Sequence, residues 1–153
     1  MLAQPFLFEP VGTPWIEVQD GDDTARDLFD RHYSRYIYAD GRKPKCFVGP
    51  GRKMVLMTVD AAALFVWRDF ISADRQEGIN CAIFRNESER LSSDLIREAD
   101  ALVDQLWGRK RHYTYVNPRR IRSVNPGCCF LKAGWRKCGI TKKRHYLILE
   151  RPA

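Results

Sequence analysis

Between Ser92 and Gly108 the chain repeats apolar side chains at helical spacing. Leu95, Ile96, Ala99, Leu102, Val103 and Leu106 fall at i, i+1, i+4, i+7, i+8 and i+11, while Arg97, Glu98, Asp100, Asp104 and Gln105 take the other side. The spacing predicts one amphipathic helix, starting near Ser92 and ended by Gly108. A stripe this long must be buried against another layer. Short β-type runs on both sides, Ile79 to Phe84 before it and His112 to Val116 after it, make a sheet the natural partner. The chain therefore reads as α/β.

The remaining segments fit that scheme. Trp15 to Val18 can form a strand, and Asp22 or Asp23 can cap a following helix that would run to about Tyr36, with Leu28, Phe29, His32, Tyr33 and Tyr36 on one stripe. Asp40 to Lys53, rich in Gly, Pro and basic residues, reads as an exposed loop. Met54 to Val59 and Ala63 to Phe70 suggest an antiparallel hairpin. Asn117-Pro118 turns the chain, Gly127 to Ala133 makes a short helix stopped by Gly134, and Trp135 to Ile140 with Tyr146 to Leu149 form a last strand pair. No linker or repeat divides the 153 residues, so a single domain over 1–153 is expected.

Charge narrows the partners. Of the net +7, residues 109–151 carry +12, with thirteen Lys and Arg against Glu150 alone, and residues 1–108 carry −5. Such asymmetry points to a polyanion, most often nucleic acid, and DNA is the partner expected here. The plain alternative is a basic solvated surface. Trp107, His112, Tyr113, Tyr115, Trp135 and Tyr146, interleaved with the cations, are candidates for stacking on bases. The expected phosphate contacts are Lys43, Arg52, Arg109, Arg111, Arg119, Arg120 and Arg122. The longest apolar run, Ala61 to Trp67, is far short of the ~20 residues that cross a bilayer. Five cysteines without C-x-x-C or Cys/His zinc spacing suit reduced thiols, so a cytoplasmic protein with no membrane partner is expected. Cys128 and Cys129 read as small core residues, since no base stands beside them.

The order strand, loop, long helix, strand, short helix ending in Gly-aromatic and terminal strand resembles the GNAT acyltransferase core, over roughly Met54 to Leu149. Its most specific piece is Asn125-Pro126-Gly127-Cys128-Cys129-Phe130-Leu131-Lys132-Ala133-Gly134-Trp135. The resemblance implies a GNAT-like mixed, mostly antiparallel sheet flanked by helices, and acetyl-CoA or a related acyl donor. The family's glycine-rich diphosphate turn is replaced by Phe84-Arg85-Asn86-Glu87-Ser88-Glu89-Arg90-Leu91-Ser92-Ser93. Arg85, Arg90 and the amides around Leu91 and Ser92 could still hold phosphate, with Asn125 alongside, while Glu87 and Glu89 would oppose an anion. Where many relatives place a proton-donating Tyr, this chain has Phe130.

Arg31-His32-Tyr33-Ser34-Arg35, together with Phe84-Arg85-Asn86-Glu87, Asn125-Pro126-Gly127 and the basic C-terminal third, is similar to the Mom-like DNA-modification proteins of Mu-like phages. That resemblance implies adenine N6 modification protecting phage DNA from restriction, with His32, Tyr33, Asn86 and Glu87 as catalytic residues. It also opens an iron-dependent route, for which the motif offers no full ligand set. The plain readings stand beside it: His32 as a bonded core histidine, Asn86 and Ser88 as a turn, and Ser123 or Asn125 as caps of the helix at Gly127. A GNAT-type N-acetyltransferase for small amines or proteins, and a non-catalytic nucleic-acid-binding protein on the same scaffold, are the alternative functions.

Overall fold

A computed structural model describes residues 13–32, 39–42, 44–120 and 127–153. Seven strands, β1 (Trp15–Val18), β2 (Arg52–Thr58), β3 (Ala63–Asp69), β4 (Ile79–Asn86), β5 (His112–Val116), β6 (Arg136–Ile140) and β7 (Leu147–Arg151), form one sheet in the order β1-β2-β3-β4-β5-β7-β6. Every neighbouring pair is antiparallel except β4 and β5, which run parallel.

Helices cover both faces. α1 (Asp23–Asp30) starts where the Asp22 carboxylate accepts from the Ala25 amide at 3.0 Å, and buries Ala25, Leu28 and Phe29. Its partners are the inward residues of one sheet face, Val55, Met57, Leu64, Val66 and Ile83. α2 (Ser92–Trp107) buries Leu95, Ile96, Ala99, Leu102 and Val103 on the opposite face, and α3 (Cys128–Lys132) joins it there through Phe130. The predicted apolar stripe is the buried stripe. Two indoles set how α2 lies on the sheet: Trp15 Nε1 donates to the Leu95 carbonyl at 3.0 Å and Trp67 Nε1 to the Ala99 carbonyl at 3.2 Å.

Several boundaries differ from the sequence reading; β7, for one, runs on to Arg151, two residues beyond its expected end. α1 gives way to a turn at Arg31 and His32, where the Arg31 amide bonds back to the Leu28 carbonyl and the His32 amide to the Phe29 carbonyl. The rest of the expected helix, 33–36, lies outside the described residues. β2 begins at Arg52, inside the expected loop, because Arg52 pairs with Asp69 of β3. β4 continues to Asn86, so Arg85 and Asn86 are strand residues, paired with Leu64 and Ala63.

The parallel junction positions everything else. Only Ile79 with His112 and Asn80 with Tyr113 are paired, after which the Thr114 hydroxyl donates to the Cys81 carbonyl at 2.9 Å and the ladder ends. A register shift in β4 explains where the strands part. Trp67 faces Cys81 and Val66 faces Ile83, leaving Ala82 unmatched, a bulge that bends its strand. Gly78 begins the junction with φ +110°, and a Cβ there would sit 2.1 Å from the Arg111 carbonyl oxygen.

A buried polar group lies beneath the junction. His112, fully buried, holds Asp100 through Nδ1 at 2.6 Å, and the other Asp100 oxygen accepts from Trp135 Nε1 at 2.9 Å. The imidazole sits against Trp67, with ring centroids 4.5 Å apart. One turn along α2, Asp104 binds Arg151 of β7 through both oxygens, at 2.5 and 2.9 Å. Removing one partner of such a buried set leaves the others without compensation. Asp100→Ala is expected to cost about 3–5 kcal/mol in urea unfolding, against under about 1 kcal/mol for Asp94→Ala, whose carboxylate is exposed. Near-equal midpoints for the two variants would contradict the account.

Candidate functional site

The topology brings most of the singled-out residues to one end of the sheet. β4 and β5 run parallel and part toward their C-terminal ends, so the mouth of the gap lies between Asn86 and Val116. α2 begins there, directly after β4. The β6–β7 turn sits there too, since Leu147 pairs with both Val116 and Ile140. The C-terminal end of α1 reaches the same place, where Arg31 meets Arg85 and Glu87.

On the β4 side the contacts are specific. Glu87 receives Arg31 at 2.6 and 2.9 Å and Arg85 at 2.5 Å, and the second arm of Arg85 donates to the Arg31 carbonyl at 2.7 Å. The two guanidiniums hold the Glu87 carboxyl down at about 2. Glu87 is thus an anion that braces α1 against β4, and a carboxylate so acidic is a poor base at neutral pH. Its charge is matched twice, which weakens the opposition to an anion expected of it, while Glu89 is exposed.

Asn86 organises the turn into α2. Its Nδ2 donates to the Arg90 carbonyl at 2.8 Å and to Ser92 Oγ at 2.9 Å, while its Oδ1 accepts from the Ser88 amide at 2.9 Å. The turn reading of Asn86 and Ser88 is the one these contacts match. Leu91 stands at the N-cap of α2 and gives no side-chain cap, so no side chain closes the first turn of this 16-residue helix. Arg90 is exposed beside it.

His32 is buried at this same end, and burial together with the Arg85 charge pushes its pKa down to about 4, against a bond to the Phe84 backbone that acts the other way. The imidazole is neutral throughout the neutral range. Tyr33 and Asn125 lie outside the described residues, as do Lys43 and Arg122. On the α2 face of the sheet, Phe84 of β4 meets Phe130 of α3 edge-on at 6.0 Å, and Phe130 meets Trp135 at 4.9 Å. Burial pushes the Cys81 and Cys129 thiols up, so neither is a ready nucleophile. Among the described residues no three His, Cys, Asp or Glu side chains converge on a metal position, and no helix is long and apolar enough to cross a membrane.

The expected nucleic-acid contacts divide by location. Arg52 pairs with Asp69 and lies 4.1 Å over the Trp107 ring, Arg109 reaches Asp104 at 3.5 Å, and Arg111 binds Glu150 at 2.6 Å. These three stand at the closed end of the junction, away from the mouth, and each is matched by a carboxylate. Arg119 and Arg120 are exposed at the mouth. The aromatic stacking surface needs correction as well. His112, Tyr113 and Trp135 are core residues, at 0%, 0% and 3% exposure, and Tyr115 is tied to Asp74 at 2.6 Å. Two further features stand at this end that no motif in the sequence singles out: Arg31, whose only signal is its place before His32, and the exposed run Lys142-Lys143-Arg144 in the β6–β7 turn.

No family model matches the chain, and a search of curated proteins returns no match. Solved structures do match. A mutant of the spermidine N-acetyltransferase SpeG from Vibrio cholerae superposes with a TM-score of 0.55 at 13% identity, over 90% of this chain and 91% of that one. A chimera from Vibrio cholerae SpeG and hSSAT gives 0.54 at 11% identity, over 90% and 95%. The fold is GNAT-like. At such low identity the likeness carries the architecture, and the expectation of a mixed, mostly antiparallel GNAT-like sheet flanked by helices holds. Residues 84–93, the segment expected to stand in place of the family's diphosphate turn, lie at the mouth of the gap.

The His32 environment makes a pH prediction. Its folded pKa lies below the 6.5 of the unfolded chain, so the unfolded state binds more protons in between and stability falls as pH drops from about 6.5 toward 4. The full loss is about 3 kcal/mol. Denaturant midpoints across that window should fall steeply for the wild type and less for His32→Gln; parallel curves would contradict the burial of a neutral imidazole.

Proposed function

We propose that this chain is an acyltransferase that moves an acyl group from a CoA-type thioester to an amine nitrogen. The observation that carries the reading is the gap between β4 and β5, opening beside the uncapped start of α2. That start offers amides and the positive end of a helix dipole to a diphosphate. Arg90 adds an exposed cation, and of the nearby acids Glu87 is matched by Arg31 and Arg85 and Asp94 by Arg97, while Glu89 is exposed. The residues present therefore fit a phosphate-bearing donor, even without the glycine-rich turn.

The donor supplies an activated carbonyl. The new C–N bond forms as the C–S bond breaks, the sulfur leaves as thiolate, and the amine proton must be removed. His32 is neutral at working pH and can accept a hydrogen bond from the incoming amine, while its low basicity suits a relay to solvent better than storage of the proton. Arg31, Arg85 and Glu87 fix the turn that carries it. Phe130 has no proton to give, so thiolate departure relies on solvent or on another group.

Two acceptors are supported by different observations. The likeness to solved spermidine N-acetyltransferases supports a small amine, the reading with the broader support. The charge of +12 over residues 109–151 favours an amine carried on a polyanion, as in Mom-like modification of DNA adenine, since a polycationic acceptor would be repelled by such a surface.

Radiolabelled acetyl-CoA incubated with spermidine and, separately, with duplex DNA tests both. The reading expects label in one acceptor, an acid limb of kcat/KM near pH 4 in place of 6.5, and a raised donor KM in Arg90→Ala. No label in either acceptor, together with no calorimetric binding of acetyl-CoA, would overturn it.

A further inference from the structure

We infer that the rim formed by the exit of β5 and the β6–β7 turn is a docking surface for a nucleic-acid phosphate backbone. This deepens the second acceptor reading above and rests on it for the identity of the acceptor, whereas docking itself is measurable without turnover.

The argument starts from how charge is sorted along the sheet. At the closed end of the junction the cations face acids: Arg52 and Lys110 meet Asp69, Arg109 and Arg151 meet Asp104, and Arg111 and Arg136 meet Glu150. At the mouth the pattern reverses. Lys142, Lys143 and Arg144 are exposed, and among the described residues none of them has a carboxylate within 4.0 Å. Five cations of the C-terminal third, Arg119, Arg120, Lys142, Lys143 and Arg144, thus stand exposed at one end of the molecule.

The carrier is ordered. Thr141 and Tyr146 close the turn, with the Thr141 amide on the Tyr146 carbonyl at 2.9 Å and the Tyr146 amide on the Thr141 hydroxyl at 2.9 Å. The His145 amide bonds back to the Thr141 carbonyl at 3.1 Å. Arg119, in the turn after β5, donates to the Arg144 carbonyl at 2.8 Å and so joins the two turns into one surface. Three consecutive cations on a hydrogen-bonded turn, with Arg119 and Arg120 beside them, form a fixed phosphate-contacting edge.

That edge borders the opening between β4 and β5, so a bound backbone would run past the site where the acyl group is held. A macromolecular polyanion fits better than a single phosphate, because the cations are spread over two turns. The burial of His112, Tyr113 and Trp135 removes the main stacking candidates, which leaves electrostatic backbone contact and little base discrimination.

Fluorescence anisotropy of a labelled 20-base-pair duplex, titrated with the full chain at several salt concentrations, tests the proposal. Each duplex phosphate contact contributes about 0.9 to the log–log salt slope. The triple variant K142A/K143A/R144A should lose roughly three from the slope and bind at least ~10-fold more weakly at moderate salt. A control, K45A/R52A/K110A, removes as many charges from other surfaces and should stay within about threefold of wild type. Circular dichroism melts of both variants check folding, and calorimetric binding of acetyl-CoA should be unchanged in the rim variant.

Absence of salt-dependent binding by the wild type would overturn the docking surface, as would equal losses in both variants. Loss of acetyl-CoA binding in the rim variant with duplex binding intact would assign the rim to the donor instead. A wild type that binds duplex but no acetyl-CoA would keep the docking surface and sink the acyltransferase reading.

Discussion

Two backbone pairings, Ile79 with His112 and Asn80 with Tyr113, join a four-stranded antiparallel block to a three-stranded one. If the ladder had continued, the sheet would be closed and the mouth would not exist. The Ala82 bulge turns β4 away, and the Thr114 hydroxyl substitutes for the last ladder bond at the Cys81 carbonyl. So short a seam needs reinforcement, which comes from below: Asp100 and Asp104 of α2 bind His112, Trp135 and Arg151, side chains that all belong to the C-terminal block. Trp15 and Trp67 anchor the same helix to the N-terminal block. α2 therefore holds the N-terminal block through Leu95 and Ala99, in its first half, and the C-terminal block through Asp100 and Asp104, further toward the closed end.

This arrangement links stability to function. The acids that α2 places beneath the seam also neutralise cations at the closed end, leaving those of the β6–β7 turn to face outward at the mouth. The Arg31, Arg85 and Glu87 bracket does the opposite locally: it removes a negative charge from the β4 side of the opening, where an anionic donor would approach. Both effects favour negatively charged ligands at the same end of the sheet.

Much of this was legible in the sequence, for identifiable reasons. α2 has a clean helical stripe and a glycine stop, and its predicted bounds match the observed ones because propensity, periodicity and burial agree there. The strands were found as short apolar runs, although β4 extends further than its apolar run because Arg85 and Asn86 pair with Leu64 and Ala63. Side-chain partners were not legible. Glu87 looked catalytic beside a strand end, yet its charge is decided by Arg31, 56 residues earlier in the chain. Likewise Tyr113 and Trp135, interleaved with cations in sequence, point into the core, because alternation along a strand does not say which face is covered. The charge total was correct in sign and size, but its placement at the mouth depends on which carboxylates fold against which arginines.

The central claim is that the gap between β4 and β5 is where the acyl donor lies. A crystal structure of the full chain with a non-hydrolysable acetyl-CoA analogue tests it most directly. The account predicts the pantetheine arm between β4 and β5, with the diphosphate at the Leu91–Ser93 start of α2. An analogue bound elsewhere, with the gap empty, would contradict it.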